Sequence, residues 1–229
     1  MIHSESHLRN SDFLTDVVIG MSDGLTVPFA LAAGISGAVN SNNIVIMAGV
    51  AEIIAGSIAM GLGGYLAGKT EMEHYESELK RETEEVETVP EKEREEIKEI
   101  FLQYGFSKQS QEILVAELSR DKNKWIDFMM KFELSLDKPD PNRASKSALT
   151  IGLSYIVGGT IPLIPYFLTD TPYAGLKISA IVTLVCLFVF GYFKSKATGQ
   201  PLIYGAFKVM IIGAVAASAA FLVAKLIGA

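Results

Sequence analysis

The sequence predicts an all-α membrane protein with five transmembrane helices and a helical insert between spans two and three. Of its 229 residues 49% are hydrophobic, and the mean hydropathy is +0.31. The charge is concentrated in one block, because 14 of the 20 Lys and Arg and 20 of the 26 Asp and Glu lie between Lys69 and Ser147. That block has a net charge of −6 and the remainder is neutral, so a membrane part and a soluble acidic part are expected.

Each predicted span is an apolar segment of at least about 20 residues, the length that crosses a bilayer as a helix. The segments are approximately Phe13–Val39, Ile44–Gly68, Ser147–Phe167, Tyr173–Phe193 and Leu202–Ile227. In the third, Pro162 and Pro165 are expected to kink or loosen the far end. We therefore divide the chain into 1–68 (spans one and two), 69–142 (the insert) and 143–229 (spans three to five).

The orientation follows from basic residues near the span ends, which favour the cytosolic side. The loops 40–43 and 168–172 contain no Lys or Arg. The opposite side carries Arg9, Lys69, Lys80, Arg81, Arg143, Lys146, Lys194 and Lys196. The pattern predicts a cytosolic N-terminus and insert, with the C-terminus on the other side.

The insert is expected to form a small helical domain with its own core. Its first part continues the second span to Thr88, and the break at Val89-Pro90 starts a new helix, because proline suits the first helical position. That helix, Glu91–Tyr104, ends at Gly105, and Ser107 caps the next. A last segment covers Lys122–Leu134. Its apolar positions and those of the preceding helix are Ile113, Leu114, Leu118, Trp125, Phe128, Met129 and Phe132.

Several classes of protein are excluded by what the chain lacks. One cysteine, Cys186, allows neither an internal disulfide nor a cysteine zinc site. The histidines are His3, His7 and His74, so a histidine metal site inside the bilayer is excluded. No nucleotide-binding loop and no cleavable signal peptide are found. We expect no enzyme, no ATP-driven pump, no tightly bound cofactor and no nucleic-acid partner.

Two carboxylates within the apolar spans are the strongest functional signal. Asp23 lies in the first span and Glu52 in the second. A carboxylate at bilayer depth costs several kcal/mol or more, about 3 on insertion scales, and such residues usually bind a cation or proton in transit. Asp23 could instead only hydrogen-bond a neighbouring helix. Asp16, seven residues earlier on the same helix face, lies nearer the cytosolic end and could simply be hydrated.

The residues around these carboxylates favour a metal ion. Gly20 and Gly24 allow a neighbouring helix to approach closely, and Pro28 frees a backbone carbonyl near Gly24. Glu52, Gly56 and Met60 follow one another at steps of four residues, so all three can line one side of the second span. A carboxylate with a thioether suits a transition metal better than Na⁺ or Ca²⁺. Met60 alone, however, would usually be a packing residue.

The insert is rich in glutamate. Glu82/Glu85 and Glu93/Glu96 are pairs three residues apart, each on one side of its helix. Two such helices folded together could bring four carboxylates to one metal ion, as in metal-binding helical bundles. Met129 and Glu133, four residues apart, could complete the set of ligands. The alternative is a solvated acidic face.

The membrane motifs resemble those of the vacuolar iron transporter family. The resemblance rests on Asp23-Gly24-Leu25-Thr26-Val27-Pro28-Phe29-Ala30, on the segment from Ala55 to Ala67, and on the Glu-rich insert. It covers nearly the whole chain, and the sequence looks like that of a plant member. It implies a homodimer that exports Fe²⁺ from the cytosol into the vacuole in exchange for protons. Asp23 and Met60 would bind the ion in transit, and Glu52 would help in coupling.

The same resemblance assigns a cytosolic metal site to six residues of the insert. They are Glu82, Glu85, Glu93, Glu96, Met129 and Glu133.

A dimer also suits the charges, since two Asp23 side chains on a twofold axis balance a divalent ion. We expect Gly20 and Gly24 to let the first spans of the two subunits cross closely. An exporter of Mn²⁺ or of divalent metals in general, and a membrane scaffold with an acidic partner-binding insert, are the alternatives.

Overall fold

The structure, a computed structural model, describes residues 11–227, and every regular element in that range is an α-helix. Its helices are α1 (Ser11–Ala38), α2 (Asn42–Thr88), α3 (Pro90–Gln103), α4 (Lys108–Leu118), α5 (Lys122–Phe132), α6 (Arg143–Phe167), α7 (Pro172–Ala197) and α8 (Leu202–Ile227). The chain forms two compact units. The membrane unit extends to Leu66 and resumes at Ala144, and the insert unit is Ala67–Arg143.

Five of these helices are long and apolar enough to cross a membrane, as the sequence predicts. The spans lie in α1, α2, α6, α7 and α8. Their outer faces expose large apolar side chains, which suits contact with lipid hydrocarbon. Examples from four of the five helices are Met47, Ile58, Leu153, Ile181 and Val215.

Glycines bring α1 and α6 into close contact inside the membrane unit. A Cβ atom on Gly20 would lie 2.3 Å from the carbonyl oxygen of Ile151, and one on Gly24 would lie 2.4 Å from that of Tyr155. The two backbones therefore touch where only glycine fits. The expectation that Gly20 and Gly24 let the first spans of two subunits cross is wrong, because α6 of the same chain occupies that face.

The far end of α6 stays helical to Phe167 despite its prolines. The Ser179 hydroxyl donates to the carbonyl of Pro162 over 2.7 Å, and the Thr169 hydroxyl donates to that of Pro165 over 3.0 Å. These side chains provide partners for carbonyls near the prolines and the helix end. The expected loosening of this end is therefore not observed.

The insert unit has its own apolar core, as expected. The end of α2 packs with α3, α4 and α5, and the buried residues are Tyr75, Val86, Ile97, Val115, Trp125, Ile126, Met129 and Met130. Pro90 begins α3, and the amide of Ser110 donates to the capping hydroxyl of Ser107. Gly105, with φ of +83°, follows α3 in the left-handed region, for which glycine is suited. Ile113 and Phe132 are exposed, so neither is a core residue.

The orientation of the spans stays a prediction. Arg9, one of the basic residues on which it rests, lies outside the described residues, as do His3 and His7.

Candidate functional site

Asp23 lies near the middle of the first span, on its outward edge. It is 12 residues from the start of α1 and 15 from its end, about 18 and 22 Å at 1.5 Å per residue. The side chain is half-buried, whereas Ile19 and Val27, four residues to either side, are 38% and 43% exposed. The helices of its own chain therefore leave this edge of α1 partly open.

Glu52 accepts a hydrogen bond from a tyrosine that was not predicted from the sequence. Tyr155 of α6 is 2% exposed, and its hydroxyl donates a hydrogen bond to Oε1 of Glu52. The other oxygen, Oε2, is buried without a hydrogen-bond partner among the described residues. A tyrosine inside an apolar span was the available signal, since a buried phenol needs a hydrogen-bond partner.

Gly56 provides the space for this tyrosine. A Cβ atom at Gly56 would lie 2.5 Å from the Tyr155 hydroxyl oxygen. Met60, one turn further along α2, is half-buried like Glu52 and Gly56, so the three share one side of the helix as expected. The role of Met60 as an ion ligand stays a prediction.

Asp16 is buried rather than hydrated. Its side chain is 3% exposed, and Ser147 of α6 donates a hydrogen bond to its Oδ1 over 3.0 Å. Gly64 of α2 adjoins the same place, since a Cβ there would lie 2.8 Å from the Ser147 hydroxyl oxygen. The alternative that Asp16 is simply hydrated is therefore wrong, because three helices close around it.

The glutamates of the insert form one cluster across the Val89-Pro90 break. Each member of the set Glu82, Glu85 and Glu93 has a carboxylate oxygen within 4.8 Å of the others, and the same holds for Glu93, Glu96 and Glu133. Glu93 belongs to both sets. The four helical glutamates thus meet as the sequence pattern predicts, and Glu133 joins them from the end of α5.

Two members of the cluster are buried more completely than carboxylates usually are. Glu82 is 1% exposed and Glu93 is fully buried. Among the described residues, Oε2 of Glu82 and both oxygens of Glu93 have no hydrogen-bond partner. Buried carboxylates are normally paired or bound to a metal ion. Their burial therefore argues against the alternative that the glutamates of α2 and α3 form only a solvated acidic face.

Burial and mutual repulsion make these carboxyls hold protons more tightly. Burial, then the charges of Glu133 and Glu85, raises the pKa of Glu82 to about 7, although Arg81 opposes the rise. Burial, then the charges of Glu96 and Glu82, raises the pKa of Glu93 to about 7. The pKa of Glu133 is also raised, first by partial burial. The cluster thus changes charge near neutral pH.

Two basic residues contact the edge of the cluster. Arg81 lies 3.8 Å from both Glu82 and Glu85, and Lys92 lies 2.9 Å from Glu96. Five carboxylates against two cations leave a formal charge of −3 when all are ionised, which favours a divalent cation. The donors are oxygens, which Fe²⁺, Mn²⁺ and Zn²⁺ all accept.

Met129 lies in the apolar core of the insert. Its side chain is fully buried, one turn before Glu133. The carbonyl of Met129 accepts the amide hydrogen of Glu133, which fixes the end of α5 near the cluster. Its sulfur as a metal ligand stays a prediction.

Comparison with known proteins gives consistent matches over almost the whole chain. The model of the VIT family matches residues 14–225. Vacuolar iron transporter 1 of Arabidopsis thaliana is 50% identical over 225 residues, which is 98% of this chain and 90% of that protein. Vacuolar iron transporter 1 of Oryza sativa subsp. japonica is 51% identical over 97% of this chain and 88% of its own. Protein CCC1 of Saccharomyces cerevisiae is 40% identical over 94% of this chain and 69% of its own.

Proposed function

This chain belongs to the VIT family, and on that premise we propose that it carries Fe²⁺ from the cytosol into the vacuole in exchange for protons. Several relatives are named vacuolar iron transporters, and the five apolar helices suit a multi-pass protein of the vacuolar membrane. The N-terminus and the insert would face the cytosol and the C-terminus the vacuolar lumen.

The observation that carries the proposal is the position of Asp23. A carboxylate half-buried at mid-membrane, beside the exposed Ile19 and Val27, would face hydrocarbon in a single copy of the chain. A second copy packed against this edge of α1 removes that penalty. Two Asp23 side chains across a twofold axis then offer a charge of −2 to one Fe²⁺. We therefore propose a homodimer with the ion path between the two α1 helices.

Exchange for protons follows from competition for the same oxygens. Asp23 and Glu52 can each hold a proton or contribute negative charge to a bound cation, but not both at once. An acidic lumen would load protons onto them and expel the metal. The protons then leave on the cytosolic side when the next ion binds. Met60 would add a soft ligand that favours Fe²⁺ over Ca²⁺ and Mg²⁺.

The glutamate cluster of the insert would collect metal ions on the cytosolic side. Glu82, Glu85, Glu93, Glu96 and Glu133, whose carboxylates lie close together, would supply the oxygens, and Met129 would be a sixth ligand. A bound ion would offset the mutual repulsion of the cluster. The unpartnered oxygens of Glu82 and Glu93 support this assignment.

Metal flux into liposomes tests the proposal. Purified protein is reconstituted, and anaerobic Fe²⁺ uptake is measured with and without an imposed pH gradient. We expect uptake that increases when the lumen is acidic and falls more than tenfold in Asp23→Asn. Asp170→Asn, which changes an exposed acid in the loop after α6, is the matched control and should transport normally.

Two outcomes would reject the proposal. One is a wild-type protein that moves no divalent metal, as a membrane scaffold would behave. The other is normal flux and normal proton coupling in Asp23→Asn. Uptake in the presence of competing Mn²⁺, Co²⁺ or Zn²⁺ measures the ion preference and would reveal a general divalent exporter.

A further inference from the structure

We propose that Tyr155 is a positioning residue that holds Glu52 by one oxygen, so that Oε2 is the atom presented to the transported ion. This inference rests on the proposed transport function and adds to it a residue on α6, a helix that supplies none of the predicted ion ligands. Glu52 needs a partner to fix its orientation, because a glutamate on a helix face can otherwise occupy several rotamers.

A hydrogen bond connects α6 to α2. The Tyr155 hydroxyl donates to Oε1 of Glu52, and the tyrosine side chain is 2% exposed. Hydrogen bonds to an ionised acceptor are among the stronger ones in proteins. The bond therefore fixes one carboxylate oxygen and, with it, the direction of the other.

Close packing fixes Tyr155 itself. Its backbone lies against Gly24 of α1, where an added Cβ would be 2.9 Å from the Tyr155 Cα. Its ring lies against Gly56 of α2, where an added Cβ would be 2.6 Å from Cζ. Contacts with two glycines on two helices leave the phenol little freedom to turn away from Glu52.

The second carboxylate oxygen of Glu52 lacks a comparable partner in the described part of the chain. Oε2 of Glu52 is buried, and it has no hydrogen-bond partner among the described residues. An unpartnered buried carboxylate oxygen is costly unless something binds it. The Tyr155 hydroxyl already bonds the other oxygen of this carboxylate, and the charge of Asp23 from α1 acts on the same phenol. The partner that suits an anionic oxygen without a hydrogen-bond donor is a cation or a proton.

The experiment compares two tyrosines of the same helix in the full-length protein. Tyr155→Phe removes the hydroxyl and keeps the ring. Tyr166→Phe is the matched control, because Tyr166 is also buried but its hydroxyl accepts a hydrogen bond from Ser36 over 3.1 Å and bonds no carboxylate within the described range 11–227. In liposome flux assays we expect Tyr155→Phe to raise the apparent KM for Fe²⁺ by about tenfold. Its Vmax should change less, and Tyr166→Phe should match wild type in both constants.

A second readout does not depend on transport. A hydrophobic carbodiimide modifies carboxyl groups within membranes, and mass spectrometry of the Glu52 peptide measures the extent. We expect Fe²⁺ to protect Glu52 in wild type and in Tyr166→Phe. The Fe²⁺ concentration for half-protection should be about tenfold higher in Tyr155→Phe. Gly56→Ala, which displaces the phenol without removing it, should behave in the same way.

The outcomes separate this inference from the proposed function. If wild type transports Fe²⁺ and both KM and half-protection are unchanged in Tyr155→Phe, the positioning role is rejected and transport stands. If Fe²⁺ never protects Glu52 in wild type, the assignment of Oε2 is rejected. A loss of Vmax with a lowered melting temperature and an unchanged half-protection concentration identifies Tyr155 as merely structural. Absence of wild-type flux rejects the proposed function itself.

Discussion

Ser147 of α6 donates a hydrogen bond to Asp16 of α1 across 3.0 Å, and both side chains are 3% exposed. Burying a carboxylate is costly unless a hydrogen-bond donor or a cation reaches it. This contact joins the start of the third span to the first span. Gly64 of the second span lies close to the same Ser147 hydroxyl. The pair is therefore a point at which three membrane helices depend on one another.

Ser147→Ala should destabilise the membrane unit. The change leaves a buried oxygen of Asp16 without this donor, a loss of about 1–3 kcal/mol. Thermal unfolding of the purified protein in detergent measures the effect. Ser145→Ala, at an exposed position two residues earlier, is the control. Equal melting temperatures for the two variants would contradict the proposed importance of the contact.

Gly24→Ala should be far more damaging than Gly63→Ala. A Cβ at Gly24 would meet backbone atoms of Tyr155 at 2.4–3.0 Å, whereas one at Gly63 would meet nothing within 4 Å. Backbone cannot yield as a flexible side chain does, so we expect a loss of 1–3 kcal/mol or more, roughly the cost of overpacking a core. The yield of monodisperse protein and its melting temperature report the difference. A well-folded Gly24→Ala protein would show that α1 and α6 can separate at low cost.

The metal-free protein should lose stability as the pH rises from about 4.5 to 7. The pKa values of Glu82 and Glu93 are about 7 in the folded state against an ordinary value of 4.5. The folded state therefore binds more protons than the unfolded state in this window, and stability falls by up to about 1.4 kcal/mol per pH unit for each group. Melting temperatures measured in chelator across this range test the sign. Glu82→Gln/Glu93→Gln should flatten the dependence, and Glu112→Gln, an exposed residue outside the cluster, should not.

Metal binding to the insert should show the opposite pH dependence. Ions need ionised carboxylates, so binding releases protons below pH 7 and tightens as the pH rises through that value. Calorimetric titration of the full-length protein with Mn²⁺ at pH 6 and pH 8 gives both the affinity and the number of protons released. Equal affinity at the two pH values, or unchanged binding in Glu82→Gln/Glu93→Gln, would reject the cluster as the binding site.

Met60→Leu should change ion preference more than overall rate. Removing the thioether takes away a soft ligand, so Fe²⁺ and Co²⁺ flux should fall several-fold relative to Mn²⁺ flux. Met47→Leu is the matched control, because Met47 lies on the same helix and is 71% exposed. If both variants keep the wild-type ratio of Fe²⁺ to Mn²⁺ flux, Met60 is a packing residue.

The spans and the glutamate cluster could be predicted because each depends on local pattern. An apolar segment long enough to cross a bilayer has few other stable structures. The glutamate spacing within α2 and α3, with a proline at the break, was enough to predict that Glu82 and Glu85 lie close to Glu93. The burial of Glu82 and Glu93 was less visible, since it depends on the apolar core beside them.

The partners of individual side chains could not be predicted because they depend on how helices pair. Small residues at Gly20 and Gly24 indicate close contact but not whether the partner is α6 or a second copy. The pairing of Tyr155 with Glu52, separated by 103 positions, requires the register between α6 and α2. Likewise the burial of Asp16 depends on Ser147, 131 positions away.

Val89 is the single residue between α2 and α3, so it fixes the rotation of one helix relative to the other and hence the sides on which their carboxylates lie. Because an α-helix advances about 100° per residue, one residue inserted between Glu85 and Glu93 would swing the later glutamates to another side while leaving both helices intact. The insertion of one neutral residue would preserve the charge and the helical content and still abolish the cluster. Chain length at this bend is thus as strictly required as the identity of the glutamates.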